Sequence, residues 1–197
     1  MRLRRALCVT IVLLTAFASE TFSAAIDGIG ADGWHTWRVE AGENAADWCC
    51  YVWNSGNAER TGCDLDGSRS GYSSSDDRSS LAPHIQIYTL MSNGNVLKIR
   101  TLSSQCPVTT RTEIFDLGIV ENDDSVGWLA QYVAPRSELS SDALAAMSAH
   151  ENSFDAIVSV IEDRELDEDI RRQALFWLVE SKSEQGFEYI ERLLVGT

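Results

Sequence analysis

The sequence predicts an α+β protein in which a small, disulfide-stapled antiparallel β domain precedes a short stack of α-helical hairpins. Three observations support this prediction. Asn93-Gly94, a typical hairpin turn, lies between two apolar segments, four cysteines fall between residues 49 and 106, and apolar residues recur at helical spacing near the end. We divide the chain into a signal peptide at residues 1–25, a β-rich disulfide domain at 26–118 and a region of helical repeats at 119–197.

The first 25 residues have the three parts of a secretory signal peptide. The start is basic, an apolar segment follows at residues 6–18, and the small residues Ser23 and Ala25 precede the predicted cleavage site. Cleavage after Ala18 is the alternative. The apolar segment is short for a membrane span, so we expect no membrane insertion after signal removal. A periplasmic or secreted mature protein is therefore predicted.

Export determines the expected state of the cysteines. Cys8 leaves with the signal peptide, and Cys49, Cys50, Cys63 and Cys106 remain. An even number in an exported chain predicts two disulfides. Adjacent strand residues point to opposite faces, whereas a bond between vicinal cysteines strains the peptide that joins them. We therefore favour one of the vicinal pair bonded to Cys63 and the other to Cys106, without deciding which. A redox or soft-metal site at the vicinal pair is the alternative.

The β-rich region contains two predicted short strands and one predicted hairpin. The strands are residues 34–40 and 47–53, and the hairpin covers residues 84–102 around its Asn-Gly turn. Residues 64–80 are polar and predict a loop. Large aromatic side chains on the two strands form either the core or a binding platform for carbohydrate or peptide; they are Trp34, Trp37, Trp48 and Trp53.

Amphipathic helical segments follow between residues 142 and 194. Their apolar stripes are Leu144 and Met147; Phe154, Ile157, Val158 and Ile161; Ile170, Ala174, Trp177 and Leu178; and Phe187, Ile190 and Leu194. Residues 143–147 match residues 174–178, which predicts one helix–turn–helix unit used twice. Predicted N-caps are Ser141 or Asp142, Asn152, Asp167 and Ser183. Residues 122–133 predict a preceding half-unit.

The second unit, RRQALFWLVESKSEQGFEYIERLL, resembles a HEAT-type repeat. The resemblance lies in a basic residue and Ala-Leu in the first helix, then an aromatic–Ile–Leu second helix: Arg172, Ala174, Leu175, Leu178, Phe187, Ile190 and Leu194. It implies stacked hairpins that present a surface to another protein. The charged positions expected on that partner-binding face are Arg171, Glu180, Glu188 and Glu191. A small helical bundle is the alternative.

The whole arrangement is similar to uncharacterised exported bacterial proteins with a C-terminal HEAT-like repeat region. The residues that carry this similarity are Trp48, Cys49, Cys50, Cys63, Asp64, Leu65, Gln105, Cys106 and Pro107. The similarity implies this architecture and export, and it supplies no catalytic residue.

Net charge narrows the range of partners. The chain has 16 basic and 30 acidic residues, and removal of the signal peptide with its three arginines and one glutamate leaves a net charge of −16. Such a surface repels phosphate backbones and anionic lipids, so no nucleic-acid partner is expected. The acidic excess provides solubility or attracts a cationic partner.

Catalytic and metal-binding motifs are absent from the sequence. His35, His84 and His150 fit no metal-ligand motif, and residues 67–71 have arginine where a nucleophile elbow has serine. Residues 64–67 begin like a calcium loop but lack its later ligands, so an Asx turn at Asp64 and Asp66 is favoured. We expect no cofactor and a protein–protein interaction function with an unknown partner. The alternative is a small extracytoplasmic enzyme or a carbohydrate-binding module that uses the tryptophans of the β domain.

Overall fold

A computed structural model describes residues 29–43, 45, 47–54, 57–67 and 83–196. The predicted signal peptide, with Cys8, and the greater part of the predicted polar loop lie outside these residues. Among the described residues no helix is both long and apolar enough to cross a membrane.

The described residues form eight strands in three sheets. The strands are β1 (Gly33–Glu40), β2 (Cys50–Asn54), β3 (Asn57–Thr61), β4 (Cys63–Asp64), β5 (His84–Ser92), β6 (Asn95–Ser103), β7 (Val108–Thr109) and β8 (Ile114–Ile119). The main sheet has the order β6-β5-β1-β8, while β2 pairs with β3 and β4 pairs with β7.

The predicted hairpin is confirmed as β5 and β6. Its turn residues, Asn93 and Gly94, both have positive φ angles of 51° and 75°. Such a turn matches the right-handed twist of the flanking strands, and asparagine and glycine tolerate its backbone conformation best. Local sequence therefore determines how the strands pair next to the turn, while a register shift between Leu90 and Met91 displaces the pairing farther along the strands.

The sequence predicted a purely antiparallel β region, and this prediction is wrong for two strand pairs. β1 pairs with β8 in parallel, and so does β4 with β7. Other strands and long connections separate these parallel partners in sequence, so no local turn signal marks them. The prediction fails only for these nonlocal pairs. The pairs β1–β5, β5–β6 and β2–β3 are antiparallel as predicted.

Five helices follow the strands. They are α1 (Asn122–Ala130), α2 (Ser140–Ser148), α3 (Phe154–Glu162), α4 (Glu168–Glu180) and α5 (Glu184–Val195). Asp167 and Ser183 are N-caps as predicted, whereas α2 begins earlier, after Leu139, and α3 follows Ser153. The mixed α+β content is therefore confirmed.

Two hydrophobic clusters lie on the two faces of the main sheet. One joins Trp37, Ile85 and Ile87 to buried residues of all five helices. The other joins Trp34 and Leu102 to the bonded cysteines and their neighbours. Alternation along each strand sends successive side chains to opposite faces, so the same strands support the helices and the disulfide region.

An ion pair joins the sheet to the helices at one edge. Arg100 on β6 lies 3.2 Å from the carboxylate of Asp142 on α2, and the Arg100 side chain is mostly buried. Burial raises the pKa of Asp142, and the Arg100 guanidinium opposes that effect. The two charges offset part of each other's desolvation cost.

The last helix packs differently from the predicted stripe. Gly186 and Tyr189 are buried, while Phe187 and Leu194 are exposed by 56% and 84%. A Cβ atom at Gly186 would lie 2.9 Å from Ser183 Oγ and 3.1 Å from the carbonyl oxygen of Leu178. Glycine thus allows the start of α5 to approach the end of α4, and this contact rotates the apolar stripe outward.

We expect Gly186→Ala to destabilise the protein by about 1–3 kcal/mol, as overpacking of a close contact does. The added methyl group would displace Ser183, whose hydroxyl caps α5 by accepting a hydrogen bond from Gly186 N at 3.1 Å. Urea unfolding checks this. Gly127→Ala in α1 is the matched control, since a Cβ there meets nothing within 4 Å; it should be neutral or stabilise by up to about 1 kcal/mol. Equal effects of the two substitutions would refute the close-packing argument.

Candidate functional site

The four predicted cysteines form two disulfides. Cys49 bonds Cys106 and Cys50 bonds Cys63, with Cα–Cα distances of 5.4 and 5.2 Å. Both bonds use one member of the vicinal pair, as the sequence favoured, and the structure decides which cysteine takes which partner. The bonds connect β2, β4 and the segment that leads into β7.

The sulfur atoms of both disulfides form one cluster. Cys63 Sγ lies 3.7 Å from Cys106 Sγ, although these atoms belong to different bonds. The sulfurs of Cys49, Cys63 and Cys106 all lie within 4.8 Å of one another. A soft metal requires thiolates, and each of these sulfurs is bonded to another sulfur, so the oxidised cluster offers no thiolate ligand.

The Asp64–Asp66 segment is an Asx turn supported by the sheet. Asp64 Oδ1 accepts a hydrogen bond from Asp66 N at 3.0 Å. The Asp66 carboxylate accepts hydrogen bonds from Arg111 N, from Trp34 Nε1 and from Thr110 Oγ1. The backbone N–H of Arg111, followed by the Trp34 indole, holds the pKa of Asp66 below its usual value.

Oxygen atoms of this turn that a calcium ion would need already have partners. Lys98 Nζ lies 2.8 Å from the carbonyl oxygen of Asp66 and 3.4 Å from that of Gly67. A lysine ammonium at these carbonyls repels a divalent cation. The hydrogen bond from Asp66 N to Asp64 Oδ1 forms the Asx turn that the sequence favoured.

A buried chain of hydrogen bonds joins Trp37, Ser125 and His150. His150 Nδ1 lies 2.8 Å from the carbonyl oxygen of Ala146, and its Nε2 lies 2.7 Å from Ser125 Oγ. A carbonyl only accepts, so Nδ1 carries the proton and Nε2 accepts the Ser125 hydroxyl. Trp37 Nε1 donates to the same Ser125 oxygen at 2.7 Å.

This serine–histidine contact has the geometry of an activated nucleophile but not its accessibility. Ser125 is fully buried and His150 is 2% exposed. Burial lowers the pKa of His150 from 6.5 to about 4. No substrate atom can reach the hydroxyl without opening the core, so the arrangement connects β1, α1 and the end of α2. No sequence pattern predicts this network, because its members are far apart in the chain and form no motif.

Three of the four tryptophans of the predicted strands, those whose side chains the structure describes, are buried and form no exposed platform. Trp34 and Trp37 are fully buried and Trp48 is 8% exposed. The side chain of Trp53 lies outside the described residues. Trp177, predicted in the core of the helices, is half-buried instead and stacks on Trp48 with ring centroids 5.5 Å apart.

The predicted partner-binding positions are divided between two environments. Glu188 and Glu191 on α5 are exposed, whereas Arg171 and Glu180 on α4 are half-buried. The structure thus places all four on the last two helices, and only the α5 pair is fully available at the surface among them.

The same two helices expose several large apolar side chains. They are Phe176, Val179, Phe187, Leu193, Leu194 and Val195, each at least 41% exposed. We call this set the apolar helical face. Phe176 packs edge-to-face against Trp177 at 5.0 Å, which connects the face to the half-buried tryptophan. Large apolar side chains exposed on successive helices are a feature of surfaces that contact another molecule.

An acidic groove lies beside the apolar helical face. It has a volume of about 360 Å³ and opens where α3 and α5 begin. Trp177 and Phe154 provide aromatic walls, and its charged lining residues are Glu43, Glu151 and Glu184. A hydrogen bond with Glu40 raises the pKa of Glu151, because two adjacent carboxyl groups repel each other when both are ionised. A cation in the groove would relieve that repulsion.

Comparisons with models of protein families, with curated proteins and with solved structures found no match to the chain. Function is therefore inferred from the residues and their contacts.

Proposed function

We propose that the chain is an exported protein–protein interaction module that binds a basic partner protein through a HEAT-like helical stack. The observation that carries the proposal is the apolar helical face, with Phe176 51% and Phe187 56% exposed. Water contact of so many large apolar side chains is unfavourable, and a partner surface would remove it.

Contacts between corresponding helices support a stack of hairpins. The first helices of the two units, α2 and α4, are in contact. The second helices, α3 and α5, also meet: Phe154 and Tyr189 have ring centroids 6.3 Å apart, and Tyr189 OH donates to Glu162 Oε1 at 3.3 Å. Stacking of like helices on like helices is the arrangement that helical repeats use.

Charge supports a basic partner. The groove that adjoins Phe176 and Trp177 is lined by acidic side chains and aromatic rings, an environment that favours lysine or arginine side chains. The whole chain is strongly acidic, so a basic partner is attracted over longer distances as well. An apolar patch with a basic rim on the partner would complement both features.

Two disulfides support export to the periplasm or beyond the cell. Disulfides persist in oxidising compartments and are rare in the cytosol. The pairs Cys49–Cys106 and Cys50–Cys63 thus agree with the basic and apolar segments of the predicted signal peptide.

Site-specific photo-crosslinking in cells tests the proposal. A benzophenone amino acid replaces Phe187 in one strain and Leu97 on β6, exposed by 53%, in a control strain. We expect a discrete adduct with a basic protein at position 187 and none at position 97. Charge reversal by Glu43→Lys should weaken the adduct, since it removes part of the attraction in the groove.

Three results would contradict this function. They are equal adducts at both positions, an adduct of the chain with a second copy of itself, and an adduct that Glu43→Lys leaves unchanged. High salt provides a further check, because screening at about 1 M salt shortens electrostatic attraction to about 3 Å. Crosslinking that persists undiminished in extracts at that salt concentration would argue against a charge-selected partner.

A further inference from the structure

We propose that the two disulfides form one thiol–disulfide exchange site. A dithiol reductant enters at Cys50, the bonds rearrange, and the product holds a Cys63–Cys106 disulfide beside a free Cys49-Cys50 dithiol. The substrate class is a dithiol, carried by a protein or by a small molecule. This site is separate from the apolar helical face and does not depend on the proposed interaction function.

The first observation is the contact between the two bonds. Cys63 Sγ and Cys106 Sγ are 3.7 Å apart and both cysteines are at least 94% buried, with exposures of 2% and 6%. Exchange requires a thiolate to approach a disulfide sulfur. A thiolate released on Cys63 is already in contact with Cys106 Sγ, and the freed Cys63 side chain turns into line with the Cys49–Cys106 bond to attack it. The surrounding apolar side chains exclude competing thiols.

The second observation is that backbone pairing keeps Cys63 and Cys106 together without either disulfide. Cys63 N donates to the carbonyl oxygen of Pro107 at 2.8 Å, and Leu65 N donates to that of Thr109 at 2.9 Å. These bonds belong to the parallel β4–β7 pair. When the original bonds open, the two sulfurs therefore remain neighbours, which favours the new bond over dispersal of the thiols.

The third observation concerns access. Cys50 is half-buried, whereas Cys49, Cys63 and Cys106 are buried. An external thiolate therefore attacks at Cys50, the one residue of the four that is not buried. Attack there makes Cys63 the leaving group, which is the cysteine in contact with the second disulfide.

The reaction balances as an exchange of two electrons and two protons. The first thiolate of the reductant bonds Cys50 Sγ, and the Cys50–Cys63 bond breaks with its electron pair on Cys63. Cys63 then attacks Cys106, which breaks the Cys49–Cys106 bond and leaves a thiolate on Cys49. The second thiol of the reductant displaces Cys50 and closes a cyclic disulfide. The reductant loses two electrons and two protons, and Cys49 and Cys50 gain them.

Tryptic mapping of the full chain tests the proposal. The oxidised protein is treated with one equivalent of dithiothreitol, blocked with N-ethylmaleimide and digested. Trypsin separates Cys49 and Cys50 (residues 39–60), Cys63 (61–69) and Cys106 (101–111) on three peptides, and Cys8 on a fourth. We expect peptide 61–69 bonded to peptide 101–111 as the dominant product, and peptide 39–60 carrying two blocked cysteines.

Other products would overturn the exchange. Peptide 39–60 bonded to 101–111 would mean that the second disulfide stayed intact after reduction of the first. Peptide 39–60 bonded to 61–69 would mean that the reductant entered at the buried bond. The Cys8→Ser variant should give the expected product too, which excludes attack by that thiol. The same reduction in concentrated urea should give a mixture of pairings; an unchanged product there would mean that the fold does not direct the exchange.

Discussion

Replacement of all four bonded cysteines by alanine should unfold the β region or leave it marginally stable. Cys50–Cys63 links residues 13 apart and Cys49–Cys106 links residues 57 apart. Loop-closure entropy assigns about 3 kcal/mol to the shorter link and about 4 kcal/mol to the longer. Their sum is comparable with the whole stability of a typical domain, which is about 5–15 kcal/mol.

Urea unfolding of the single-bond and double-bond variants measures this effect. Cys49→Ala with Cys106→Ala should lower stability more than Cys50→Ala with Cys63→Ala, because the longer loop regains more freedom in the unfolded chain. Each two-alanine variant removes two cysteines and one bond, so the difference between the two variants cancels the effect of cysteine substitution itself. A four-alanine variant that unfolds at the wild-type urea concentration would refute the expectation.

Local features of the β region could be predicted from the sequence, and nonlocal ones could not. The Asn93-Gly94 turn encodes its own backbone conformation, so the antiparallel pairing of β5 with β6 follows from the four residues 92–95. The choice of Cys49 for Cys106 depends on how β2 lies against the β6 end, where Ser103 N donates to the carbonyl oxygen of Trp48. No residue near the cysteines signals that contact.

Helix positions were predictable from apolar periodicity, but the rotation of α5 was not. Two faces compete on this helix: the stripe Phe187–Ile190–Leu194 is the more apolar, whereas the buried residues are Gly186 and Tyr189. Hydrophobicity favours the first, while the close approach at Gly186 determines the second. The apolar helical face therefore became visible only in the structure, whereas the exposure of Glu188 and Glu191 on α5 was expected from the sequence.

The buried His150 network should make the protein acid-sensitive. Protonation of Nε2 would place a second N–H against Ser125, whose hydroxyl proton would lose its acceptor, and would leave a charge in the core. Glu40 at the end of β1 and Glu151, next to His150 in the chain, supply negative charge that favours a protonated imidazole. Burial nevertheless lowers the pKa of His150 to about 4. The unfolded chain has the ordinary pKa of about 6.5, so it binds the proton more tightly.

Stability should therefore be fully present above pH 6.5 and fall as the pH decreases from 6.5 to 4. The difference between the two pKa values corresponds to a loss of about 3 kcal/mol, spread over that window at about 1.4 kcal/mol per pH unit. Urea unfolding at a series of pH values measures the slope. His150→Gln cannot gain this proton, so it should start less stable at pH 7 and lose the slope between pH 6.5 and 4.

A second histidine provides the matched control for this experiment. His84 on β5 is half-buried and lies outside the Trp37–Ser125–His150 network, so His84→Gln should keep the wild-type slope. Glu151 acts in the opposite direction, because protonation of a carboxyl group with a raised pKa relieves its repulsion with Glu40 as the pH falls. Since both variants retain Glu151, the difference between their slopes isolates His150. Equal slopes for His84→Gln and His150→Gln would show that His150 is not the group that makes the fold acid-sensitive.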